Sequence, residues 1–235
     1  MILNRKEVCD FIDKVMMNLF SDFTNQSVNI DVLKLEMFSF LSEDKQRAFW
    51  NQFNLIKQRV KEDVKFTYES DPAANSYEEI VLTYPGIYAT TIYRIANIFY
   101  QLEEKVLARL CSEIAHSRTG IDIHPGANIS SPLFIDHGTG IVIGETSIIG
   151  KYVKIYQGVT LGAMSLRKGQ QLKGNKRHPT IGDNVTLYAN STIVGGNTFI
   201  GDNSTIGANV LLTSSVAKNS KVITNIEQFN IIETN

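Results

Sequence analysis

The spacing of apolar residues changes character near residue 120. From Gly120 to about Leu161, aliphatic residues recur at every sixth position. A strand repeats every two residues and a helix every 3.6, so a period of six predicts a coil with three flat faces. This pattern is typical of a parallel β-helix built of hexapeptides. The residues in phase are Ile123, Ile129, Ile135 and Ile141 and then, after a shift of two positions, Ile143, Ile149, Ile155 and Leu161.

The six-residue repeat is interrupted once. From Gly162 to Thr180 the chain reads GAMSLRKGQQLKGNKRHPT, which has no aliphatic repeat and is rich in Gly, Lys and Arg. We expect this stretch to leave the coil as an excursion loop. The repeat returns at Ile181, Leu187 and Ile193, slips by one position to Ile200, and continues at Ile206 and Leu212.

Upstream of the repeat, the apolar residues follow helical spacing. A first helix carries Val8, Phe11, Ile12, Val15, Met16 and Leu19, and a second carries Phe49, Phe53, Ile56 and Val60. A third long helix is expected from about Ile87 to Ser112. The predicted fold class is therefore α+β, with an N-terminal α-helical domain over residues 1–115. A left-handed parallel β-helix of hexapeptide repeats follows over 116–225, and a tail over 226–235.

Two proline segments connect the predicted helices. In Ser70-Asp71-Pro72, a polar residue precedes proline, which is a common way to begin a helix. Asp71 is therefore interpreted first as a helix cap. Tyr84-Pro85-Gly86 is interpreted as a turn before the long helix.

Composition sets limits rather than a function. Lys+Arg total 23 against Asp+Glu 24, a net charge of -1, so no overall field favours nucleic acid or an anionic membrane. The two cysteines, Cys9 and Cys111, form neither a disulfide framework nor a metal-binding spacing, which favours a reducing cytoplasm. The first twenty residues carry charges throughout and predict neither a signal peptide nor a membrane span.

Candidate chemistry is concentrated in polar clusters that hold three of the four histidines. Asp122 and His137 lie fifteen positions apart, on neighbouring turns of a coil of about eighteen residues per turn. A carboxylate that orients an imidazole makes a general base near neutral pH. A His–Asp pair that only ties two turns together is the other reading of this spacing.

A second group lies at the end of the predicted loop. Arg177 and His178 follow it, and the loop could carry them over the site that holds Asp136 and His137. An arginine near two acids suits a substrate that has both an ammonium and a carboxylate group.

The loop is also basic. Its cations are Arg167, Lys168, Lys173 and Lys176, which suit a phosphate-bearing carrier lying along the coil. A solvated basic loop fits the same composition equally well. The sequence has no Walker loop and no GxGxxG motif, so a nucleotide fold is not indicated, and we assign no metal site.

Taken in order, the segments DPAA, YRIA, DIHPGANI, FIDHGTGIVIGET, QGVTLG and RHPTIGDNV resemble the serine O-acetyltransferase family. The resemblance covers residues 65–212. It implies acetyl transfer from acetyl-CoA to the hydroxyl of L-serine, giving O-acetylserine for cysteine biosynthesis. His137 would be the general base for direct attack on the thioester, and Asp122 would orient it.

The resemblance also implies the ligand sites. Asp71 and Asp136 would bind the substrate ammonium, and Arg177 with His178 its carboxylate. Acetyl-CoA would lie near Gly162, Ala163 and Ala189. In the family, the site lies between neighbouring coils of a homotrimer, and two trimers pair through their helical domains as a hexamer. Inhibition by cysteine in the serine pocket is a further expectation.

Three departures from the family pattern bear on these expectations. The usual GGT is Gly162-Ala163-Met164 here, and the usual GVPA segment is replaced by Val222-Ile223-Thr224-Asn225. Family chains that bind O-acetylserine sulfhydrylase commonly end in isoleucine, whereas this one ends Glu233-Thr234-Asn235. We therefore expect weak or no complex with that enzyme, unless Ile231-Ile232 substitutes.

Three alternatives stay open. One is a related hexapeptide acyltransferase for another small hydroxyl or amine acceptor. Another is a zinc enzyme of the carbonic anhydrase type, which also uses histidines on a left-handed coil. The third is an inactive scaffold that regulates a partner enzyme.

Overall fold

The computed structural model describes residues 3–37, 39–165, 167 and 169–224. Within these residues, seven α-helices come first, followed by fourteen short strands. The helices are α1 (Arg5–Leu19), α2 (Ser21–Thr24), α3 (Ile30–Met37), α4 (Glu43–Ser70), α5 (Tyr77–Thr83), α6 (Pro85–Gln101) and α7 (Lys105–Thr119). Among the described residues, no helix combines the length and apolarity that a membrane span requires.

The first two predicted helices are confirmed as α1 and α4, and their apolar stripes are buried in one core. The third prediction was wrong, because two helices occupy that segment. Helix α6 ends at Gln101 and α7 begins at Lys105. Between them Glu103 adopts a left-handed backbone with φ 61, which interrupts helical hydrogen bonding. The turn lets α7 fold back against α6, so both contribute to the same core.

The helix start predicted at Asp71 was also wrong. Asp71 caps the C-terminus of α4, with its backbone N–H bonded to Thr67 O at 3.0 Å. The next helix begins later, at Tyr77, with Ser76 as its N-cap. The Asp71 side chain instead closes a turn by accepting a hydrogen bond from the Ala73 backbone at 2.8 Å. Aspartate and proline favour such a turn as readily as a helix start, so the local sequence did not decide between them.

The second half of the chain is the expected left-handed parallel β-helix, with about five turns. Every strand pair is parallel, and the strands stack into three sheets. The first sheet has the order β1 (Asp122–Ile123), β4 (Val142–Ile143), β7 (Thr160–Gly162), β10 (Thr192–Val194), β13 (Leu211–Leu212). The second is β11 (Phe199–Ile200), β8 (Thr180–Ile181), β5 (Ile148–Ile149), β2 (Asn128–Ile129). The third is β14 (Lys221–Val222), β12 (Thr205–Ile206), β9 (Thr186–Leu187), β6 (Val153–Ile155), β3 (Leu133–Ile135).

The six-residue repeat corresponds to the stacked interior of this coil. The aliphatic residues in phase are buried and form a second core, except Leu212, which is partly buried and packs against it. The first turn is longer than the eighteen residues assumed, because Ile123 aligns with Ile143, twenty positions later. The next turn, from Ile143 to Leu161, has eighteen. The two extra residues lie in the Asp136–Gly140 loop, which explains the shift in the repeat.

The three sheets meet at corners, two of which carry candidate site residues. We use the name first corner for the corner where the first sheet passes to the second. It holds residues 124–127, 144–147 and the described residues of the predicted excursion loop, which are 163–165, 167 and 169–179. The loop contains a 3-10 turn at Gly169–Leu172. The corner where the third sheet returns to the first is called the third corner. It holds residues 136–141, 156–159 and 188–191.

A buried ion pair joins the helices to the coil. The Arg94 guanidinium on α6 donates two hydrogen bonds to the Asp63 carboxylate on α4, at 2.6 and 2.8 Å. Both side chains are 2% exposed. Asp63 also accepts the backbone N–H of Leu133, the first residue of β3, at 2.8 Å. The pair therefore fixes the helical part against the first turn of the coil.

Candidate active site

His137 lies on the third corner in an unusual backbone conformation. Its φ is 58, a left-handed value that costs energy for a residue other than glycine. Gly138 and Gly140, with φ values of 82 and 83, complete the loop. The imidazole is 69% exposed, and its Nε2 lies 3.5 Å from Oδ1 of Asp136. A solvent-facing imidazole beside a carboxylate can accept a proton from a ligand bound at this corner.

Asp71 and Asp136 both lie near the phenol of Tyr84. The Tyr84 hydroxyl donates a hydrogen bond to Asp71 Oδ2 at 2.6 Å. Burial first, and then Asp71, Glu79 and Asp136, raise the pKa of Tyr84, so its proton stays in place as a donor. Tyr84 is the single residue between α5 and α6 and is the N-cap of α6, so Pro85 and Gly86, predicted as part of a turn, instead begin the helix. The two acids and the phenol form an anionic group next to His137.

Asp122 does not hydrogen-bond to His137 within the described chain. It begins β1, and its Oδ1 lies 3.8 Å from Nη1 of Arg109 on α7. Ligand atoms of Asp122, Glu113 and His116 also lie within 4.8 Å of one another. In the isolated chain this carboxylate therefore faces α7, and its pairing with His137 stays a prediction.

Arg177 lies on the first corner, where Glu145 contacts one edge of its guanidinium group. Its Nη2 contacts Oε2 of Glu145, while Oε1 of Glu145 accepts the Tyr100 hydroxyl at 2.6 Å. Burial alone would raise the pKa of Glu145, but the hydrogen bonds from Tyr100 and Arg177 bring it to about 2. The other guanidinium nitrogen, Nη1, is buried without a hydrogen-bond partner in the described part of the chain.

His178 is buried beside Arg177 and is neutral. Burial first, and then the cations Arg177 and Lys176, lower the pKa of His178 to about 4. Its Nδ1 accepts the backbone N–H of Thr146 at 3.1 Å, so the ring proton is on Nε2. A side chain at Gly144 would overlap the imidazole, which is why glycine is required there. His178 can therefore offer one hydrogen bond from Nε2, but no positive charge.

One loop cation has a different role from the one expected. The Lys176 ammonium lies among three backbone carbonyls, those of Thr146 at 2.8 Å, Pro179 at 3.1 Å and His178. It is therefore occupied as a structural donor at the exit of the loop and is not available to a phosphate. Arg167 and Lys173 are exposed. Lys168 lies outside the described residues, as does the tail from Asn225 that includes Ile231-Ile232 and Glu233-Thr234-Asn235.

The three cofactor candidates are divided between the same two corners. Gly162 ends β7 and Ala163 begins the excursion loop, so both lie at the first corner. Ala189 follows β9 at the third corner, where its carbonyl accepts the Asn209 backbone N–H at 3.0 Å. Ala163 and Ala189 are both partly exposed.

The predicted residues thus form two groups rather than one. Asp71, Asp136 and His137 lie at or near the third corner, and Arg177 and His178 at the first. The loop does not carry Arg177 over the His137 site of its own chain, as spacing alone had suggested, because one whole sheet separates the corners. The sequence interpretation missed Glu145, Thr146, Tyr84 and Tyr100; only the polar pair after Gly144, at a corner position, signalled any of them.

The histidines behind the zinc alternative divide in the same way. His124 and His178 lie at the first corner, and His137 at the third. Among the described residues, the group that brings metal-binding side chains together is Glu113, His116 and Asp122, which contains none of these three. A single chain therefore gives no geometric support to a three-histidine site.

Comparison with known proteins gives a consistent family. The chain matches no protein-family model. It is 52% identical over 146 residues to the plasmid serine acetyltransferase of Synechococcus elongatus, a match that covers 61% of this chain and 46% of that protein. The chain thus spans about half the length of that relative.

Solved structures match more of the chain. The structure of serine acetyltransferase isoform 3 from Entamoeba histolytica, in complex with cysteine, has a TM-score of 0.83 and 37% identity, covering 95% of this chain and 84% of that one. The Neisseria gonorrhoeae serine acetyltransferase in complex with serine has a TM-score of 0.72 and 31% identity, covering 90% and 80%. A serine acetyltransferase in complex with CoA has a TM-score of 0.66 and 30% identity, covering 77% and 72%. With this extent of similarity in both sequence and fold, the chain belongs to the serine acetyltransferase family.

Proposed function

We propose that this protein transfers the acetyl group of acetyl-CoA to the hydroxyl of L-serine. The observation that carries the proposal is the composition of the two corners. One presents an exposed imidazole beside the Asp136 carboxylate, with the hydrogen-bonded pair of Asp71 and Tyr84 nearby. The other presents an arginine with one buried nitrogen that has no partner in the described part of the chain. Together they match the three functional groups of a hydroxy amino acid.

His137 is the general base in this mechanism. Its imidazole accepts the serine hydroxyl proton as the oxygen attacks the thioester carbonyl. The C–S bond of the resulting tetrahedral intermediate then breaks, and the His137 imidazolium gives its proton to the sulfur, so that CoA leaves as the free thiol and O-acetylserine remains. Asp122 stabilises the imidazolium of His137 and sets its orientation.

Acceptor binding uses opposite charges on the two corners. Asp71 and Asp136 hold the serine ammonium, with the Tyr84 phenol keeping Asp71 in place at 2.6 Å. Arg177 binds the carboxylate, and the neutral His178 donates a hydrogen bond from Nε2. This use of charge selects an α-amino acid over acceptors that lack either group.

Because the two groups lie on different corners of one coil, we infer that a complete site needs two copies of the chain. The third corner of one subunit would face the first corner of its neighbour in a homotrimer, as in the family. Asp122 would then be able to meet a neighbour's His137. Pairing of two trimers through the helical domains, as a hexamer, stays a prediction.

The same arrangement provides a place for acetyl-CoA. A groove between neighbouring coils would be lined by Gly162 and Ala163 from one subunit and Ala189 from the other. The CoA complex of a structural neighbour supports binding of this cofactor. We further propose that cysteine competes with serine, since a neighbour binds cysteine. The weak sulfhydrylase association and the cytoplasmic location also stay predictions.

The test is thiol release from acetyl-CoA on addition of L-serine, with the natural protein and His137→Ala in parallel. General-base catalysis contributes about 10²–10⁴-fold, so the variant should lose rate on that order while still binding acetyl-CoA. Thiol release that does not depend on serine would favour the other acyltransferase reading, and a panel of small hydroxyl and amine acceptors would then identify the acceptor. No release with any acceptor would contradict the proposal.

A further inference from the structure

Tyr100 reaches the first corner from the helical part of the molecule. It lies near the end of α6, and its hydroxyl donates to Oε1 of Glu145 at 2.6 Å. The ring is held on two sides. Nζ of Lys105 lies 3.4 Å from its centroid, and the backbone of Gly126 approaches so closely that a Cβ there would touch the ring. The phenol is therefore a fixed donor rather than a mobile surface group.

Glu145 connects Tyr100 to Arg177. One carboxylate oxygen accepts Tyr100 and the other contacts Nη2 of Arg177. The remaining end of the guanidinium, Nη1, is buried and has no partner in the described chain. An unpaired buried nitrogen on a charged group is costly, so its retention points to a ligand that completes it. A carboxylate is the anion that a guanidinium edge fits best.

We propose that Tyr100 is a positioning residue for the acceptor carboxylate. By fixing Glu145, it holds one edge of Arg177 in place, so that Nη1 at the other edge is left to pair with the acceptor carboxylate. Selectivity for a carboxylate-bearing acceptor thus depends on a side chain of the helical domain. This inference rests on the proposed function.

The phenol supports this role chemically. Burial first, and then Glu145, raise the pKa of Tyr100 to about 12, so the hydroxyl keeps its proton at neutral pH. Tyr100→Phe removes only the hydroxyl and keeps the ring beneath Lys105. Without the donor, Glu145 becomes free to turn, and Arg177 loses its fixed orientation.

The test compares Tyr100→Phe with Tyr93→Phe as a matched control. Tyr93 also lies on α6 and also donates its hydroxyl to the coil, at 2.7 Å to Ala127 O, but it does not contact the Arg177 group. A second acceptor, L-serinamide, keeps the ammonium and hydroxyl groups and lacks the carboxylate. Where its turnover is too slow, it is measured as a competitive inhibitor.

In Tyr100→Phe we expect the KM for L-serine to rise about tenfold, as for a weakened charge-assisted hydrogen bond. The kcat, the KM for acetyl-CoA and the constants for L-serinamide should stay within about twofold of the natural protein. Glu145→Gln should also raise the KM for L-serine. An unchanged KM for L-serine, an equal loss with L-serinamide, or the same loss in Tyr93→Phe would overturn the inference. Absence of serine-dependent turnover in the natural protein would instead overturn the proposed function.

Discussion

Oγ1 of Thr146 lies 2.9 Å from Nδ1 of His178, although the two residues are 32 positions apart in the chain. The same oxygen accepts the backbone N–H groups of Arg177 and His178, at 2.9 and 3.0 Å. One hydroxyl therefore fixes the segment in which the excursion loop returns to the coil. The position of both proposed carboxylate ligands depends on it.

Thr146→Ala should release this segment. Two backbone N–H groups lose their acceptor, which costs about 1–3 kcal/mol for each group left buried and unsatisfied. We expect a lower midpoint in thermal unfolding and a higher KM for L-serine. Thr146→Ser keeps the oxygen and should restore both, so equal effects in the two variants would show that the methyl group, not the hydroxyl, is responsible.

Acid should destabilise the protein in two steps. Burial lowers the pKa of His178 from its ordinary value of about 6.5 to about 4. The free energy of unfolding is therefore highest above about pH 6.5, and it decreases as the pH falls towards 4. The pKa of Glu145 is lowered to about 2, so its contribution is complete above about 4.5 and is lost below that. Chemical unfolding at pH 7, 5, 4 and 3 measures both steps. In His178→Gln, the free energy of unfolding should decrease less between pH 6.5 and 4. An unchanged decrease would show that a group other than His178 causes it.

The buried pair of Asp63 and Arg94 should be sensitive to loss of one partner. Asp63→Asn leaves the guanidinium without a counter-charge inside the protein, at a cost of about 3–5 kcal/mol. Denaturant unfolding gives this value. The matched control is Asp31→Asn, which breaks an exposed pair with Lys34 at 3.2 Å and should cost less than about 1 kcal/mol. Similar losses in the two variants would contradict the role given to the buried pair.

The ammonium site makes a prediction about substrate binding alone. Asp71→Asn removes one negative charge while keeping an acceptor for Tyr84. Loss of a charge-assisted bond to the ammonium should raise the KM for L-serine about 10- to 100-fold and leave the KM for acetyl-CoA unchanged. Glu78→Gln, an exposed acid on the nearby helix α5, serves as the control. An Asp71→Asn variant that resembles this control would exclude Asp71 from the site.

Much of the fold was predictable because a six-residue period has few structural solutions. Ile123, Ile129 and Ile135 mark the interior of the coil through their spacing alone, and the loss of the repeat after Gly162 marks the loop. The helix break at Glu103 was not predictable. Apolar residues continue at helical spacing across it, from Phe99 and Leu102 to Val106 and Leu110, so the pattern shows no break where Glu103 adopts its left-handed backbone.

The residues of the candidate site were proposed from the sequence, but their division between two corners was not. His137, Asp136, Arg177 and His178 follow from motif and chemistry. Their distribution over two corners depends on how many residues each turn takes, which the loop insertion obscures. Tyr100 could not be found from sequence, because its role arises from a contact between α6 and Glu145, 45 positions away.

The most direct test of the account mixes two inactive variants. His137→Ala disables the third corner and Arg177→Ala the first, and each alone should lose serine-dependent thiol release. Co-expressed with different tags and purified by both, mixed trimers should recover about a third of the natural activity, because each has one intact site among its three; mixed hexamers should recover about a quarter. No recovery from folded, doubly tagged oligomers would contradict a serine acetyltransferase site shared between two subunits.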